Sequence, residues 1–223
     1  MKFLISQLFF SVIALGINNH ALAALSDISR IYRQIPSLNQ FEVCQGGGCA
    51  QINQVSISQP EWENVAQLFK IKAANPPEER LQISQAIGLL EQIVGAKNGT
   101  ATDLAGTFNN SDTPGQLDCN DEAINTTIYL RLLKSKDLML QHVVEDTRTR
   151  NFFFTGWPHT TAVIRDIKTG ERFAVDSWFY DNGHAATVVP FKTWKANFQP
   201  ADSPIGKLRN AKPSKPEVSN LQK

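Results

Sequence analysis

The sequence predicts an α+β protein in which helices come first and antiparallel strands follow. Apolar residues recur at helical spacing between Gln59 and Ala96, and a further helix is indicated after Asp118. Downstream of that helix, β-rich segments alternate with turn signals, as in antiparallel sheets. A content of 42% hydrophobic and 19% charged residues is typical of a globular protein and excludes collagen-like, disulfide-dense and wholly disordered chains.

Residues 1–23 have the pattern of a signal peptide for bacterial export. A positively charged start precedes a mostly apolar stretch from Phe3 to Ile17, and Ala21-Leu22-Ala23 fits an A-x-A cleavage site. The alternative, an uncleaved membrane anchor, is disfavoured because the apolar stretch is short and interrupted by polar residues. We therefore expect a periplasmic or secreted protein with no membrane span after cleavage.

A single domain is expected over residues 24–200, and its first part, 24–116, is predicted to be helical. Pro60 and the acidic residues after it favour a helix start, and the prolines after Asn75 separate this helix from a second one over Glu78–Val94. Residues 24–58 are expected to be irregular apart from a short helical piece. A polar, glycine-containing loop then leads to the core.

The predicted core, residues 117–200, starts with a helix from Asp118 to about Lys134. Three β-rich segments and a short helical segment follow, with turn signals between the strands. The tail over 201–223 is rich in Pro, Lys, Ser and Asn, and we expect it to be disordered. The β-rich segments are Thr160–Asp166, Arg172–Trp178 and Ala186–Val189, and the helical segment is Phe191–Phe198.

Charge and cysteine spacing argue against two kinds of partner. The chain has 22 Lys and Arg against 21 Asp and Glu, a formal net charge of +1, whereas nucleic-acid binders carry a basic footprint. A Cys-x4-Cys pair with a distant third cysteine is not a standard zinc spacing. The sequence thus implies no metal or organic cofactor, and it does not indicate a protein partner.

The three cysteines have different surroundings. Cys44 and Cys49 flank a loop with three consecutive glycines, which lets so short a segment fold back and predicts a disulfide between them. Export to an oxidising compartment is consistent with that bond. Cys119 is left unpaired, and it is either a reactive thiol, half of an intermolecular disulfide or a buried, inert residue.

Cys119 lies at a predicted helix start, with Asp118 as the N-cap. A helix N-terminus lowers the pKa of a thiol and presents N–H groups to an oxyanion. Asp121 and Glu122 in the first turn oppose thiolate formation, so a protonated histidine is needed nearby. The position suits a nucleophile only if an imidazole reaches it.

His159 and Asp176 complete a candidate catalytic triad. His159 directly precedes the first β-rich segment, and Asp176 lies within an apolar strand, where a carboxylate is costly to bury unless it is paired. The order predicts that Cys119 attacks a carbonyl, that His159 transfers the proton and that Asp176 orients the imidazole.

The turn between these two strands decides whether the pair can meet. A two-residue turn at Thr169-Gly170 would set Asp176 opposite Val163, roughly 13 Å along the strand from His159. A bulge or a wider turn would close that gap. Without either, Asp181 or Asn182 becomes the rival orienting group.

These residues lie in blocks that resemble the transglutaminase-like superfamily of cysteine enzymes, particularly its exported bacterial cysteine proteinases. The resemblance covers about Leu117 to Val189. It implies a papain-like core, with the Cys119 helix packed on a small antiparallel sheet that carries His159 and Asp176. Arylamine N-acetyltransferases share the triad order, although their Val-Asp-x-Gly-Phe block is only partly matched here. The blocks are Asp118-Cys119-Asn120-Asp121-Glu122-Ala123, His159-Thr-Thr-Ala-Val-Ile and Phe173-Ala174-Val175-Asp176-Ser177-Trp178.

The resemblance implies acyl transfer on an amide through a thioester, as in a protease, an amidase or an amide-crosslinking transglutaminase. The compartment suggests peptide or cell-envelope amides as substrates. Candidates for the oxyanion or substrate-binding role are Gln116, Trp157 and Trp178. Two alternatives stay open: a non-catalytic binding or assembly module on the same fold, and an interaction protein that uses Cys119 for an intermolecular disulfide.

Overall fold

The computed structural model describes residues 29–108, 113–151 and 158–210. They form a mixed α+β fold with a two-stranded and a four-stranded antiparallel sheet, which confirms the predicted class. The predicted signal peptide over 1–23 and the last part of the predicted tail, 211–223, lie outside the described residues. Within the described residues, no helix has the length and apolar character needed to cross a membrane.

Strands and helices alternate irregularly along the chain, after a short helical turn at 29–33. The strands are β1 (Phe41–Gln45), β2 (Gln51–Val55), β3 (His142–Arg150), β4 (His159–Asp166), β5 (Arg172–Asp176) and β6 (Thr187–Pro190). The helices are α1 (Gln59–Gln67), α2 (Pro76–Asn98), α3 (Cys119–Ser135), α4 (Phe191–Lys195) and α5 (Pro204–Asn210).

Strands β1 and β2 form a hairpin, so the prediction of an irregular segment over 24–58 is wrong here. The ladder runs from Phe41 opposite Val55 to Gln45 opposite Gln51. The loop between the strands contains consecutive glycines at φ values of 82° and 85°, which only glycine adopts without strain. Cys44 and Cys49 form a disulfide across it. The polar residues of β2 hide the strand pattern in the sequence.

Helix α3 is the centre of the core and packs against β3, β4 and the hairpin. Every residue from Asp121 to Leu130 is buried, because the helix has protein on all sides. Apolar side chains of α2 and the large sheet complete this core. Representative fully buried residues are Ile83, Leu90, Ile128, Leu132 and Ile164.

The large sheet has the order β3-β4-β5-β6, with all neighbours antiparallel. A wide turn joins β4 to β5: the Asp166 carboxylate accepts hydrogen bonds of 2.8 Å from the backbone N–H groups of Lys168 and Thr169, and Gly170 has a φ of 73°. The last ladder pair is Arg165 opposite Arg172. A two-residue turn would have set a different register.

This register decides where Asp176 lies. Ala162 is opposite Val175, so the next position places Asp176 beside Thr161 rather than Val163. Thr161 is two residues from His159 on the same face of the strand, a distance of about 7 Å. The wide turn therefore closes the gap that a two-residue turn would leave.

The predicted tail begins with structure. Helix α5 starts at Pro204, and the buried Ser203 caps it, since its hydroxyl accepts the Gly206 N–H at 3.0 Å. Ile205 packs against a small apolar cluster near β5. The prediction of disorder from residue 201 is therefore corrected for this helix.

Candidate functional site

The three predicted residues lie on three elements, and the structure shows a direct contact between two of them, His159 and Asp176. Cys119 is the first residue of α3, His159 opens β4 and Asp176 ends β5. His159 Nε2 lies 2.7 Å from Asp176 Oδ2. Both residues are buried, with 4% and 2% of their surfaces exposed, so their ion pair or hydrogen bond is shielded from water.

Trp194 holds the carboxylate from the other side. This residue of α4 is fully buried, and its indole Nε1 donates a hydrogen bond of 2.6 Å to the same Oδ2 of Asp176. A buried carboxylate that accepts hydrogen bonds from two donors is fixed in orientation. Asp181, the rival in sequence, instead accepts the backbone N–H of Ala105 at 2.9 Å.

The other imidazole nitrogen is free. His159 Nδ1 is buried, and it makes no hydrogen bond in the described part of the chain. Because Nε2 donates to the Asp176 carboxylate, Nδ1 of the neutral ring carries an available lone pair. The site thus holds an oriented base with an unused acceptor.

Cys119 shares an aromatic enclosure with this imidazole. It belongs to a buried cluster with Trp178, Phe179 and Trp194. The ring of His159 lies 4.5 Å, 5.5 Å and 5.6 Å, respectively, from the centroids of these three rings. Cys119 is a free thiol with 6% of its surface exposed.

Burial raises the pKa of the Cys119 thiol to about 11. The backbone N–H groups of Thr160 and of Cys119 itself lower this pKa, and the carboxylates of Asp118 and Asp176 raise it. The low thiol pKa that the helix N-terminus predicts is therefore wrong, because desolvation and the carboxylates outweigh the helix N–H groups. The thiol is neutral in this arrangement at neutral pH.

The acidic residues around Cys119 bind the disulfide hairpin. Asp121 accepts the backbone N–H groups of Gly47 at 2.8 Å and Cys49 at 2.6 Å, and Asp118 accepts that of Gly48 at 2.8 Å. Asp118 also caps α3 through the N–H groups of Asn120 and Asp121. These carboxylates thereby fix the start of the helix.

A second contact between α3 and the hairpin lies one turn further along the helix. Asn125 accepts the N–H of Cys44 at 2.7 Å and donates to its carbonyl at 2.8 Å. Its amide thus pairs with the backbone of β1 as a residue of a neighbouring strand would. Because these carboxylates and the Asn125 amide bind the hairpin to α3, the Cys44–Cys49 loop supports the position of Cys119.

The three oxyanion or substrate-binding candidates have different outcomes. The amide of Gln116 is engaged in its own loop, where it accepts the Leu104 N–H at 3.1 Å and donates to Thr102 at 2.8 Å. Trp178 donates its indole N–H to the Thr107 carbonyl at 2.9 Å, and its ring covers His159. Trp157 lies outside the described residues.

The sequence analysis did not identify two residues of this site. Trp194 lies in a short helix that was expected, but nothing in the sequence links it to Asp176. Arg150 ends β3, a strand that was not predicted, and stands directly opposite His159 in the β3–β4 ladder. Recognition of β3 would have supplied the signal, since its register places Arg150 beside the histidine.

Behind the triad, three buried carboxyl groups converge from α2, a loop and α3: Glu91, Asp103 and Glu122. Ser177, the residue after Asp176, donates its hydroxyl to Glu122. Burial raises the pKa of Glu91 to about 7 and that of Asp103 to about 9, and it raises the pKa of Glu122 well above its ordinary value.

Among the residues with described placement, no His, Cys, Asp or Glu cluster has the arrangement of a metal site.

Comparison with known proteins adds no family to this picture: no family model matches the chain, and no curated protein and no solved structure is similar to it. The functional argument therefore rests on the chemistry of the site.

Proposed function

We propose that the protein is a cysteine-dependent acyl-transfer enzyme that acts on amide bonds, as a protease, an amidase or a transglutaminase-like enzyme. One observation carries the proposal: His159 is paired with Asp176 at 2.7 Å and keeps Nδ1 free, in the enclosure that also contains the free thiol of Cys119. An oriented base in the same enclosure as a free thiol supports nucleophilic catalysis, which requires a base that can reach the thiol.

The arrangement of elements supports a transglutaminase-like, papain-like core. The nucleophile opens a helix that packs on an antiparallel sheet, and the base and the orienting acid lie on adjacent strands of that sheet. This is the order of elements in the superfamily that the sequence resembles. The N-terminal hairpin and helices are additions to this core.

The proposed reaction forms and resolves a thioester. His159 Nδ1 takes the proton of Cys119 Sγ while the sulfur attacks the amide carbonyl, so that a C–S bond forms and the carbonyl π electrons move to oxygen. When the carbonyl re-forms, the C–N bond breaks and the leaving amine takes the proton from Nδ1. Water or a second amine then attacks the thioester through the same base, and the thiol is regenerated.

The raised thiol pKa shapes this mechanism. Because burial keeps Cys119 neutral, the proton leaves as the sulfur attacks, as for a serine nucleophile, rather than from a preformed thiolate. Catalysis then depends strongly on His159. The enclosure by aromatic rings favours this transfer, since it excludes competing water.

Export is part of the proposal. The Cys44–Cys49 disulfide supports a periplasmic or secreted location, because such bonds persist in oxidising compartments. Substrates in that compartment would be peptides or cell-envelope amides. The proposed chemistry uses protein side chains alone.

One observation favours the alternative, a non-catalytic binding or assembly module. Cys119 has only 6% of its surface exposed, as a packed structural cysteine would have. The same burial argues against an intermolecular disulfide, which needs an accessible sulfur. A buried, inert thiol would, however, have no use for an imidazole that is hydrogen-bonded to a buried carboxylate.

The experiment is acylation by p-nitrophenyl acetate, an activated ester that reports thioester formation without a known substrate. We expect the native protein to release p-nitrophenolate in a burst and to gain one acetyl group by intact mass. Cys119→Ala abolishes the burst, and His159→Gln slows it by about 100-fold or more, because the base is lost.

His184→Gln is the matched control, since His184 is exposed and does not contact the triad. It should leave the burst unchanged. A native protein that is inert to the ester and to iodoacetamide, but is alkylated at Cys119 after unfolding, would overturn the enzymatic proposal in favour of the binding module.

A further inference from the structure

A buried guanidinium lies beside the candidate triad. Arg150 stands opposite His159 in the β3–β4 ladder, so the two side chains share one face of the sheet. Its exposed fraction is 4%. The guanidinium carbon lies 4.6 Å from the ring centroid of Trp194 and 6.0 Å from that of Phe179, two of the rings that surround the imidazole.

Among the described residues, no carboxylate oxygen lies within 4.0 Å of a guanidinium nitrogen of Arg150. Its Nη1 donates to the backbone carbonyls of Trp194 and Phe198, which are neutral acceptors. Its Nε is buried and makes no hydrogen bond. A buried charge without a paired anion is costly, so this position requires an explanation.

Two groups of the site interact with this charge. Burial lowers the pKa of Arg150, whereas the negative forms of Asp176 and Cys119 raise it. The guanidinium remains charged in spite of burial, because its ordinary pKa is so high. Arg150 and Cys119 belong to the same enclosure, because Arg150 contacts Trp194, which is a member of the buried cluster that contains Cys119.

The other charged groups near the sulfur disfavour a thiolate. Asp118 at the start of α3 and Asp176 on β5 both do so, and His159 on β4 becomes positive only when it takes the proton. On β3, Arg150 supplies a permanent positive charge. The resting site has a neutral thiol, so the cation has no anion to neutralise there except Asp176.

We propose that Arg150 activates the nucleophile through its charge, which stabilises the negative charge that develops on Cys119 when His159 takes the thiol proton. The inference rests on the proposed function, because it assumes that Cys119 reacts as a nucleophile. The positive charge of Arg150 offsets the negative charges of Asp118 and Asp176. The guanidinium, which has no paired anion, thereby has a role in the reacting state.

The test is the rate of iodoacetamide alkylation of native Cys119 between about pH 7 and 9, followed by intact mass. Arg150→Gln keeps N–H donors for the backbone carbonyls but removes the charge, and we expect it to slow alkylation about tenfold or more. Arg150→Lys keeps the charge and should stay within about threefold of the wild type. Arg148→Gln, which removes an exposed charge from the same strand, is the matched control and should change nothing.

Tryptophan fluorescence and thermal melting show whether each variant is folded. If Arg150→Gln does not fold, the test is made on the wild-type protein. The alkylation rate of Cys119 is measured with anionic iodoacetate and with neutral iodoacetamide, and the ratio of the first rate to the second is compared with the ratio in the urea-unfolded chain. A ratio equal to or above that of the urea-unfolded chain supports the cation at the sulfur. A lower ratio shows that the carboxylates dominate and overturns the inference.

The outcomes separate the two proposals. If native wild-type Cys119 does not react with either reagent, the proposed function fails together with this inference. If it reacts, and a folded Arg150→Gln variant reacts at the wild-type rate, the inference about Arg150 fails and the proposed function stands.

Discussion

One oxygen of Asp176 accepts hydrogen bonds from two rings, the imidazole of His159 and the indole of Trp194. In a site shielded from water, hydrogen bonds to a charged group are stronger than at the surface, and the loss of one donor changes the orientation of the acceptor. Trp194 also contacts Arg150. The indole therefore links the orienting acid to the buried cation.

Trp194→Phe removes the donor and keeps an aromatic ring. We expect the acylation burst with p-nitrophenyl acetate to slow about tenfold, since a hydrogen bond to a charged group contributes about 1.5 kcal/mol. Trp62→Phe is the control, because Trp62 is a buried residue of α1 in the main core and does not belong to the cluster around Cys119. Equal effects of the two variants, or none from Trp194→Phe in a folded protein, would contradict the orienting role.

The hairpin of β1 and β2 is the element that positions the start of α3. Its loop donates three backbone N–H groups to Asp118 and Asp121, and its first strand is held by Asn125. The carboxylates that disfavour a thiolate at Cys119 thus have a structural reason to be there. They fix the helix start against a loop whose shape depends on the disulfide.

The double variant Cys44→Ala, Cys49→Ala is predicted to lose about 2 kcal/mol of unfolding free energy, the value expected for so short a closed loop. Urea denaturation measures this loss. Reduction of the wild type with dithiothreitol should reproduce it, and the double variant should be insensitive to the reductant. Identical urea midpoints for oxidised, reduced and variant proteins would show that the loop does not depend on the bond.

Elements with strong local signals were predictable, and those set by distant contacts were not. Helices α1 to α4 have helical periodicity or capping residues and start within two residues of the predicted positions, although α1 ends at Gln67 and not near Asn75. The glycine loop predicts the disulfide. β3 was not predicted, because its charged residues obscure a strand pattern. The wide β4–β5 turn depends on the Asp166 side chain, which a count of turn residues does not reveal.

The candidate site follows the same division. Cys119 and His159 each open a predicted element, and Asp176 lies within an apolar predicted strand, so local patterns marked all three as candidates. Arg150 and Trp194 belong to the site only through tertiary packing, and no local pattern marks them. The pKa of the thiol was predicted in the wrong direction because helix position is visible in a sequence and burial is not.

Across the whole molecule, buried carboxyl groups link stability to pH. Burial raises the pKa of Glu91 to about 7, of Asp103 to about 9 and of Asp121 to about 6, above the values near 4 expected for the unfolded chain. The folded state therefore holds protons that the unfolded state releases. This contribution to stability is fully present below about pH 4 and is lost as the pH rises through these values.

We predict that the unfolding free energy falls between about pH 5 and 9, by about 1.4 kcal/mol per pH unit for each proton taken up on folding. Glu91→Gln keeps the shape without a proton to lose, so it should be close to the wild type at about pH 5 and more stable at about pH 8. Urea denaturation across this range measures both effects.

Glu63→Gln, an exposed change on α1, is the control and should leave the pH profile unaltered. At the acid end the sign reverses: a hydrogen bond from Lys97 lowers the pKa of Glu61 to about 2, and that contribution is lost as the pH falls towards that value. A wild-type stability that stays constant or rises from about pH 5 to 8 would contradict the buried, protonated cluster.

The location of the acyl group after brief exposure to p-nitrophenyl acetate tests the central claim most directly. Peptide mapping by mass spectrometry is predicted to find the acetyl group as a thioester on Cys119 in the native protein, and to find almost none there in His159→Gln. Acetylation confined to lysine side chains, or equal labelling of Cys119 with and without the imidazole, would contradict a nucleophile activated by His159 and Asp176.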